Sequence, residues 1–184
     1  MALAYGALFV LTMALLGAAS AFAADDRSYD DPGMHFAPPA GWQKLPVPPQ
    51  TTSGEAGDAP PAAVFAYDIG KADQRLIVVD IQPFSGRLDA YASSHESKLH
   101  QSGDGVFVKG KKQVTLSNGM PAYFMQADSG NEAGKFQTRF DYVVIDGQRG
   151  IVVSYLGRQG DFDEKTATSA LSTLYVVAYP GARR

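Results

Sequence analysis

Along residues 136–156, apolar and polar positions alternate with the two-residue period of strands. Phe136, Thr138, Phe140, Tyr142 and Val144 fall on one face of a first arm, because successive strand side chains point to opposite sides. Ile151, Val153 and Tyr155 share a face of a second arm. Asp146-Gly147 lies between the arms and predicts a tight hairpin turn, in which glycine supplies a positive φ. Gly150 predicts either a loop longer than two residues or a bulge. The rest of the chain reads as sheet or helix added to this hairpin.

Upstream, residues 63–69 place Ala63, Phe65, Tyr67 and Ile69 on alternate positions, which predicts a strand. Residues 75–84 are more continuously apolar and predict a central strand covered on both faces, with its pairing ended by Pro83. Over residues 88–102 the period changes. Leu88, Tyr91, Ala92, His95, Leu99 and Ser102 form one helical stripe, stopped by Gly103-Asp104-Gly105. A strand at 113–116, an Asn118-Gly119 turn and a returning strand at 122–127 follow, then a polar loop at 128–134. A second helix is predicted over 161–174. Asp161 and Glu164 have capping-box spacing, and Ala167, Ala170, Leu171 and Leu174 form the buried stripe. Residues 175–179 are extended, and Pro180-Gly181 ends the fold.

The early chain is less regular. Residues 24–33 are acidic and read as a mobile terminus. Phe36 closes a short edge strand stopped by Pro38 and Pro39, and Trp42, the sole tryptophan, packs at the core edge. Residues 46–61, rich in Pro, Gly, Ser and Thr, read as an exposed loop. Hairpins dominate and helices are few. The predicted class is α+β, an antiparallel sheet with helices packed on it, rather than the alternating βαβ of a nucleotide-binding sheet. One domain spans 34–179, followed by a tail at 180–184.

Composition changes this picture at the N-terminus. An apolar run over residues 8–19 ends in Ala21-Phe22-Ala23, a small-x-small pattern that predicts a signal peptide at 1–23 cleaved after Ala23. Residues 1–7 lack the Lys or Arg such a leader usually carries, and an uncleaved N-terminal anchor is the alternative. Export to the periplasm or outside the cell follows from the first reading, with no membrane span after cleavage. There are no cysteines, so a lipoprotein anchored through cysteine, thiol nucleophiles and thiolate metal sites are excluded. The net charge of −3 argues against nucleic acid or an anionic membrane surface as partner. Lys109, Lys111 and Lys112, like Arg183 and Arg184, read as solvated surface.

No catalytic motif survives inspection. His95 and His100 invite a zincin reading, but they are five positions apart and point about 140° from one another around a helix. His95 instead reads as a core-edge histidine with one hydrogen-bond partner. Residues 130–135 have too few residues between the glycines for a phosphate loop, and a strand follows instead of a helix. No G-x-S-x-G elbow occurs. Asp161 and Asp163 lack calcium-loop spacing. No catalytic residue, metal ligand or cofactor is therefore assigned. The aromatic residues remain. Core filling accounts for them, but a sheet face left open by the helices would turn the same rings into a groove. On that basis Trp42, Tyr91, His95, Tyr142 and Tyr155 are the candidate ligand-binding residues.

The element order resembles a known group. An F-x-x-P-x-G-W-like segment with one extra residue (Phe36 through Pro38, Pro39 and Gly41 to Trp42) precedes a loop and strands. A helix opening Leu88-Asp89-Ala90-Tyr91, a strand pair around Asn118-Gly119-Met120-Pro121-Ala122, a long hairpin and a closing helix complete it. Over residues 34–177 the chain is similar to the PsbP-like, or Mog/PsbP, α-β-α sandwich family. The resemblance implies a non-enzymatic binding or assembly module. The expected function is an exported accessory module of the cell envelope, acting on an envelope protein or an apolar small molecule. The alternative is a small hydrolase with a dispersed His/Asp/Ser site around His35 or His95.

Overall fold

The computed structural model describes residues 28–47, 60–69, 74–101, 106–129, 138–158 and 163–178. Several predicted features lie outside these: the 1–23 leader, most of the 46–61 loop, the 103–105 helix stop, Phe136, Asp161 and the tail. The elements are β1 (Tyr29–Asp31), β2 (Met34–Phe36), β3 (Gln43–Leu45), β4 (Ala63–Tyr67), β5 (Arg75–Pro83), α1 (Leu88–Gln101), β6 (Val106–Thr115), β7 (Pro121–Ser129), β8 (Thr138–Ile145), β9 (Arg149–Gly157), α2 (Glu164–Leu171) and β10 (Tyr175–Val176). A seven-stranded antiparallel sheet runs β3-β4-β5-β9-β8-β7-β6, and a small sheet runs β1-β2-β10. The class is α+β, as the patterning predicts.

The β8–β9 hairpin sits within the large sheet, paired through Tyr142 with Val153 and Val144 with Ile151. Its turn is fastened by Asp146, whose Oδ1 accepts from the backbone N–H groups of Gln148 (2.9 Å) and Arg149 (2.8 Å). Gly147 takes the expected positive φ of 100°. The loop is the longer of the two predicted outcomes, with Asp146, Gly147 and Gln148 between the strands, and Gly150 pairs with Ile145 without a bulge. Gly150 also has a role the pattern did not predict. A Cβ added there would lie 2.1 Å from Cζ of Tyr91, so glycine is required by the ring of α1 resting on the strand.

The two faces of the sheet are covered differently. One carries Phe65, Ile77, Val79, Phe124, Phe140, Tyr142, Val153 and Tyr155, packed beneath α2 and the small sheet in one continuous core. The other carries Met125, Val143 and Val152, packed beneath Tyr91 and Ala92 of α1. Helix α1 stands over β6, β7 and β8. Strand β5 is central as expected, but only its Ile77/Val79 face is buried. Leu76, Val78 and Asp80 on the other face are half-buried, because α1 does not reach over them.

Four other expectations need correction. Tyr29–Asp31, read as part of a mobile terminus, pairs with β2. Arg149 ties it down, donating to Asp31, to Asp146 (2.7 Å) and to the carbonyl of Pro32 (2.8 Å). β2 is the central strand of its sheet rather than an edge, since β10 closes its other side. β6 begins at Val106, well before the predicted Gln113. Its lysines disguised it as surface, whereas charged side chains are what an edge strand needs to resist pairing with other chains. α2 starts at Glu164 with Asp163 as its cap, Oδ1 accepting from the Thr166 N–H at 2.9 Å, in place of an Asp161 capping box.

Candidate functional site

At one end of the ring face, β4, β5, β9, the turn before β3 and the first turns of α2 border an open cleft of about 440 Å³. Its aromatic wall follows from register. Tyr67 and Arg75 are cross-strand partners, and Tyr155 of β9 lies opposite Ile77 of β5. Trp42 arrives from the turn at Ala40–Gly41. Gly41 has φ 96°, and an added Cβ would stand 2.8 Å from Cε2 of Tyr67. Glycine there lets the turn close onto Tyr67 and lays the indole between two rings. Trp42 lies 5.7 Å from Tyr67 and 5.5 Å from Tyr155, the latter edge-to-face.

Charge in the cleft is mainly cationic. The Arg75 guanidinium sits over the Tyr67 ring at 5.6 Å. Arg75 also hydrogen-bonds Tyr155. Burial pushes the Tyr155 hydroxyl above its ordinary pKa, and Arg75 opposes that shift. Lys165 is exposed at the rim. The one acid in the lining, Asp163, is committed to the helix cap. Its Oδ1 accepts from Thr166 N–H and Oγ1, and these bonds hold its pKa below the usual carboxylate range.

A second cluster lies on the other face, beneath α1. His95 Nε2 is 2.7 Å from Asp141 Oδ2. Arg139 Nε donates to both Asp141 oxygens, at 2.7 and 2.9 Å, and its Nη2 donates to Ser154 Oγ at 2.7 Å. Asp141 is 1% exposed and Ser154 wholly buried. Burial raises the Asp141 pKa, but Arg139 and His95 together outweigh it and hold the carboxyl at about 2. Asp80, nearby, moves the other way, because burial dominates the charges of Arg139, His95 and Lys98. The Tyr91 hydroxyl accepts from Gln82 Nε2 at 2.9 Å, and burial raises its pKa to about 12. The carboxylate is saturated by two basic groups and the serine is held by Arg139. This is the arrangement of an ion network that orients a helix.

The structure thus brings two of the five candidate residues, Trp42 and Tyr155, into one cleft. Tyr142 shares their sheet face but packs edge-to-face on Phe124 and hydrogen-bonds Thr168 beneath α2. Tyr91 and His95 lie on the opposite face. Tyr67 and Arg75 were missed, although their positions at facing strand ends of a hairpin carry the signal. Asp141 was also missed. His35 is exposed and paired through Nδ1 with Asp30 at 2.5 Å. Among the described residues no group of three or more His, Cys, Asp or Glu could hold a metal ion, and no helix is long and apolar enough to cross a membrane.

The chain is similar to the solution structure of cyanobacterial PsbP (CyanoP) from Synechocystis sp. PCC 6803. The TM-score is 0.58 at 15% identity, over 88% of this chain and 98% of that one. A crystal structure from Bacteroides thetaiotaomicron VPI-5482 superposes with a TM-score of 0.36 at 14% identity, over 82% of this chain and 48% of that one, too loosely to bear on the fold. No family model and no curated protein matches the sequence.

Proposed function

We propose, from the premise that this chain has the PsbP-like α-β-α sandwich fold, that it is a non-catalytic accessory module of the cell envelope that works by binding. The observation that carries this reading is the cleft of about 440 Å³ walled by Trp42, Tyr67 and Tyr155, which has the size and aromatic character of ligand pockets. Export is the companion proposal, supported by the apolar run and Ala21-Phe22-Ala23. The partner is an envelope protein or an apolar small molecule.

A hydrolase would need a histidine free to take a proton from a hydroxyl at an open pocket. His95 instead directs Nε2 at Asp141, and Ser154 Oγ is buried against Arg139. The His35 side chain is exposed on β2 and paired with Asp30. These contacts weigh against that alternative.

Native mass spectrometry of protein taken gently from its exported fraction tests the proposal. The expected result is the mass of residues 24–184 carrying a small-molecule adduct or a partner chain. A bare chain, whose Trp42 indole resonance no fragment mixture moves, would overturn the binding reading. An uncleaved N-terminus would overturn export as a processed protein.

A further inference from the structure

We infer that the occupant of the Trp42–Tyr155 cleft is a small planar apolar anion, of which an aromatic carboxylate is the simplest form. This rests on reading the cleft as the binding site and adds the ligand's chemical class.

Three observations carry it. The first is the sign of the charge. The whole chain has a net charge of −3, yet this cleft presents Arg75 and Lys165. The only carboxylate in its lining, Asp163, is turned to the α2 cap, where it accepts two hydrogen bonds. Glu164, the next acid, is paired with Lys112. A cation entering the cleft would meet two like charges, and an anion would meet two opposite ones.

The second is how Arg75 is held. Its guanidinium lies over the Tyr67 ring and bonds Tyr155, so little side-chain freedom remains to be lost when an anion binds. A planar guanidinium with several N–H donors matches a carboxylate in a way a point charge does not.

The third is the wall. Trp42, Tyr67 and Tyr155 are locked against one another at 5.5 and 5.7 Å. Trp42 and Tyr155 are 5% and 1% exposed, so they give the cleft a fixed floor of ring edges, on which a flat ligand would lie beside half-buried Tyr67 without rearrangement. The cleft volume lies at the lower end of small-molecule pockets, which suits a compound of a few fused rings. The Ser169 hydroxyl in the same lining leaves a polar end beside the apolar wall.

The test uses the full chain, nitrogen-labelled, and follows the indole N–H resonance of Trp42, which has no other tryptophan to overlap it. Naphthoate, naphthylmethanol and naphthylmethylammonium present one ring system with negative, neutral and positive ends. Naphthoate should bind about tenfold more tightly than the alcohol, the worth of one charge-assisted hydrogen bond, and the ammonium compound should not bind. Added salt should weaken naphthoate alone. Arg75→Gln should remove the preference for naphthoate. Lys165→Glu, on an exposed position that leaves the core untouched, should weaken naphthoate by about threefold or more. If Arg75→Gln fails to fold, the Lys165 variant and the three-probe comparison decide. Equal affinity for naphthoate and the alcohol, or indifference to Lys165→Glu and to salt, overturns the anion inference and leaves the cleft as an apolar site. Failure of all three probes to move Trp42 overturns the cleft reading as well.

Discussion

The two faces of the large sheet solve the same problem by different means. On the α2 face, rings pack on rings, with Phe36 5.6 Å from Phe65 and Phe124 5.7 Å from Phe140. Stabilisation there comes from buried area, which is non-directional and indifferent to pH. On the α1 face the apolar cluster is small. The helix is positioned instead by His95 and Tyr91, through the Asp141–Arg139 network and Gln82. Directional bonds fix where a helix lies, but half of a broken pair leaves a buried charge behind. The difference places the aromatic cleft on the robust face and the buried His95–Asp141–Arg139 network on the sensitive one.

The largest effects should come from one truncation on each face. Trp42→Ala should cost about 3–5 kcal/mol, as for a buried ring, and Asp141→Ala a similar ~3–5 kcal/mol, as for a broken buried pair. Urea unfolding measures both, and acid separates them. The folded Asp141 pKa is about 2, depressed from the ordinary 3.8. Its contribution is therefore complete above pH ~4 and is lost as pH falls from there through about 2, an arm of about 2 kcal/mol. That arm should persist in Trp42→Ala and vanish in Asp141→Ala. A Trp42→Ala protein without it would break the comparison.

A middle-sized effect is expected from Gly150→Ala. The added carbon meets the Tyr91 ring, so α1 must shift, at about 1–3 kcal/mol. Loss of the Tyr91–Gln82 bond, seen in the Tyr91 side-chain shifts, would locate the damage on the α1 face alone. The smallest effect should be a gain. The Asp80 pKa is raised by burial, so its ionisation penalises the fold, and the penalty grows as pH rises through the folded value. Asp80→Asn should raise the melting temperature at neutral pH and leave it unchanged at pH ~3. A lower melting temperature at neutral pH would show that Asp80 is needed as a partner of Arg139 or Lys98.

The elements governed by a local period were legible in the sequence. The Tyr142–Val153 hairpin, the Tyr91/Ala92/His95/Leu99 stripe and the core strand around Ile77 and Val79 all follow from spacing alone. What could not be read was set by partners distant in sequence. The first half of β6 was read as solvated surface because Lys109, Lys111 and Lys112 answer to an edge and to Asp128, Glu96 and Glu164, none of them nearby in the chain. Gly150 looked like a turn residue because the reason for it is a ring on α1. Trp42 and Tyr155 were each named, yet their meeting depends on the β4–β5–β9 register. Asp141 was missed because its partner His95 comes from α1, and only Met125 on β7 and Val143 and Val152 along the same face reveal that this side is also covered.

The strand order also dictates an order of assembly. From β6 to β9 each strand lies beside its predecessor in the chain, so the meander zips with short closures. β5 is different. After it the chain crosses through α1 to the far edge, and Ile81 meets Ile151 only when the whole intervening stretch has returned. Closing that seam carries a larger entropy cost than the meander, so we expect the β5–β9 pairing, and with it the wall between Arg75 and Tyr155, to form after the β6–β9 meander. Pulse-labelled hydrogen exchange should protect β7 and β8 amides before those of β5. Simultaneous protection would show that the seam is part of the nucleus. The aromatic cleft would then exist only after the meander has formed, present only in chains whose two halves of the sheet have joined.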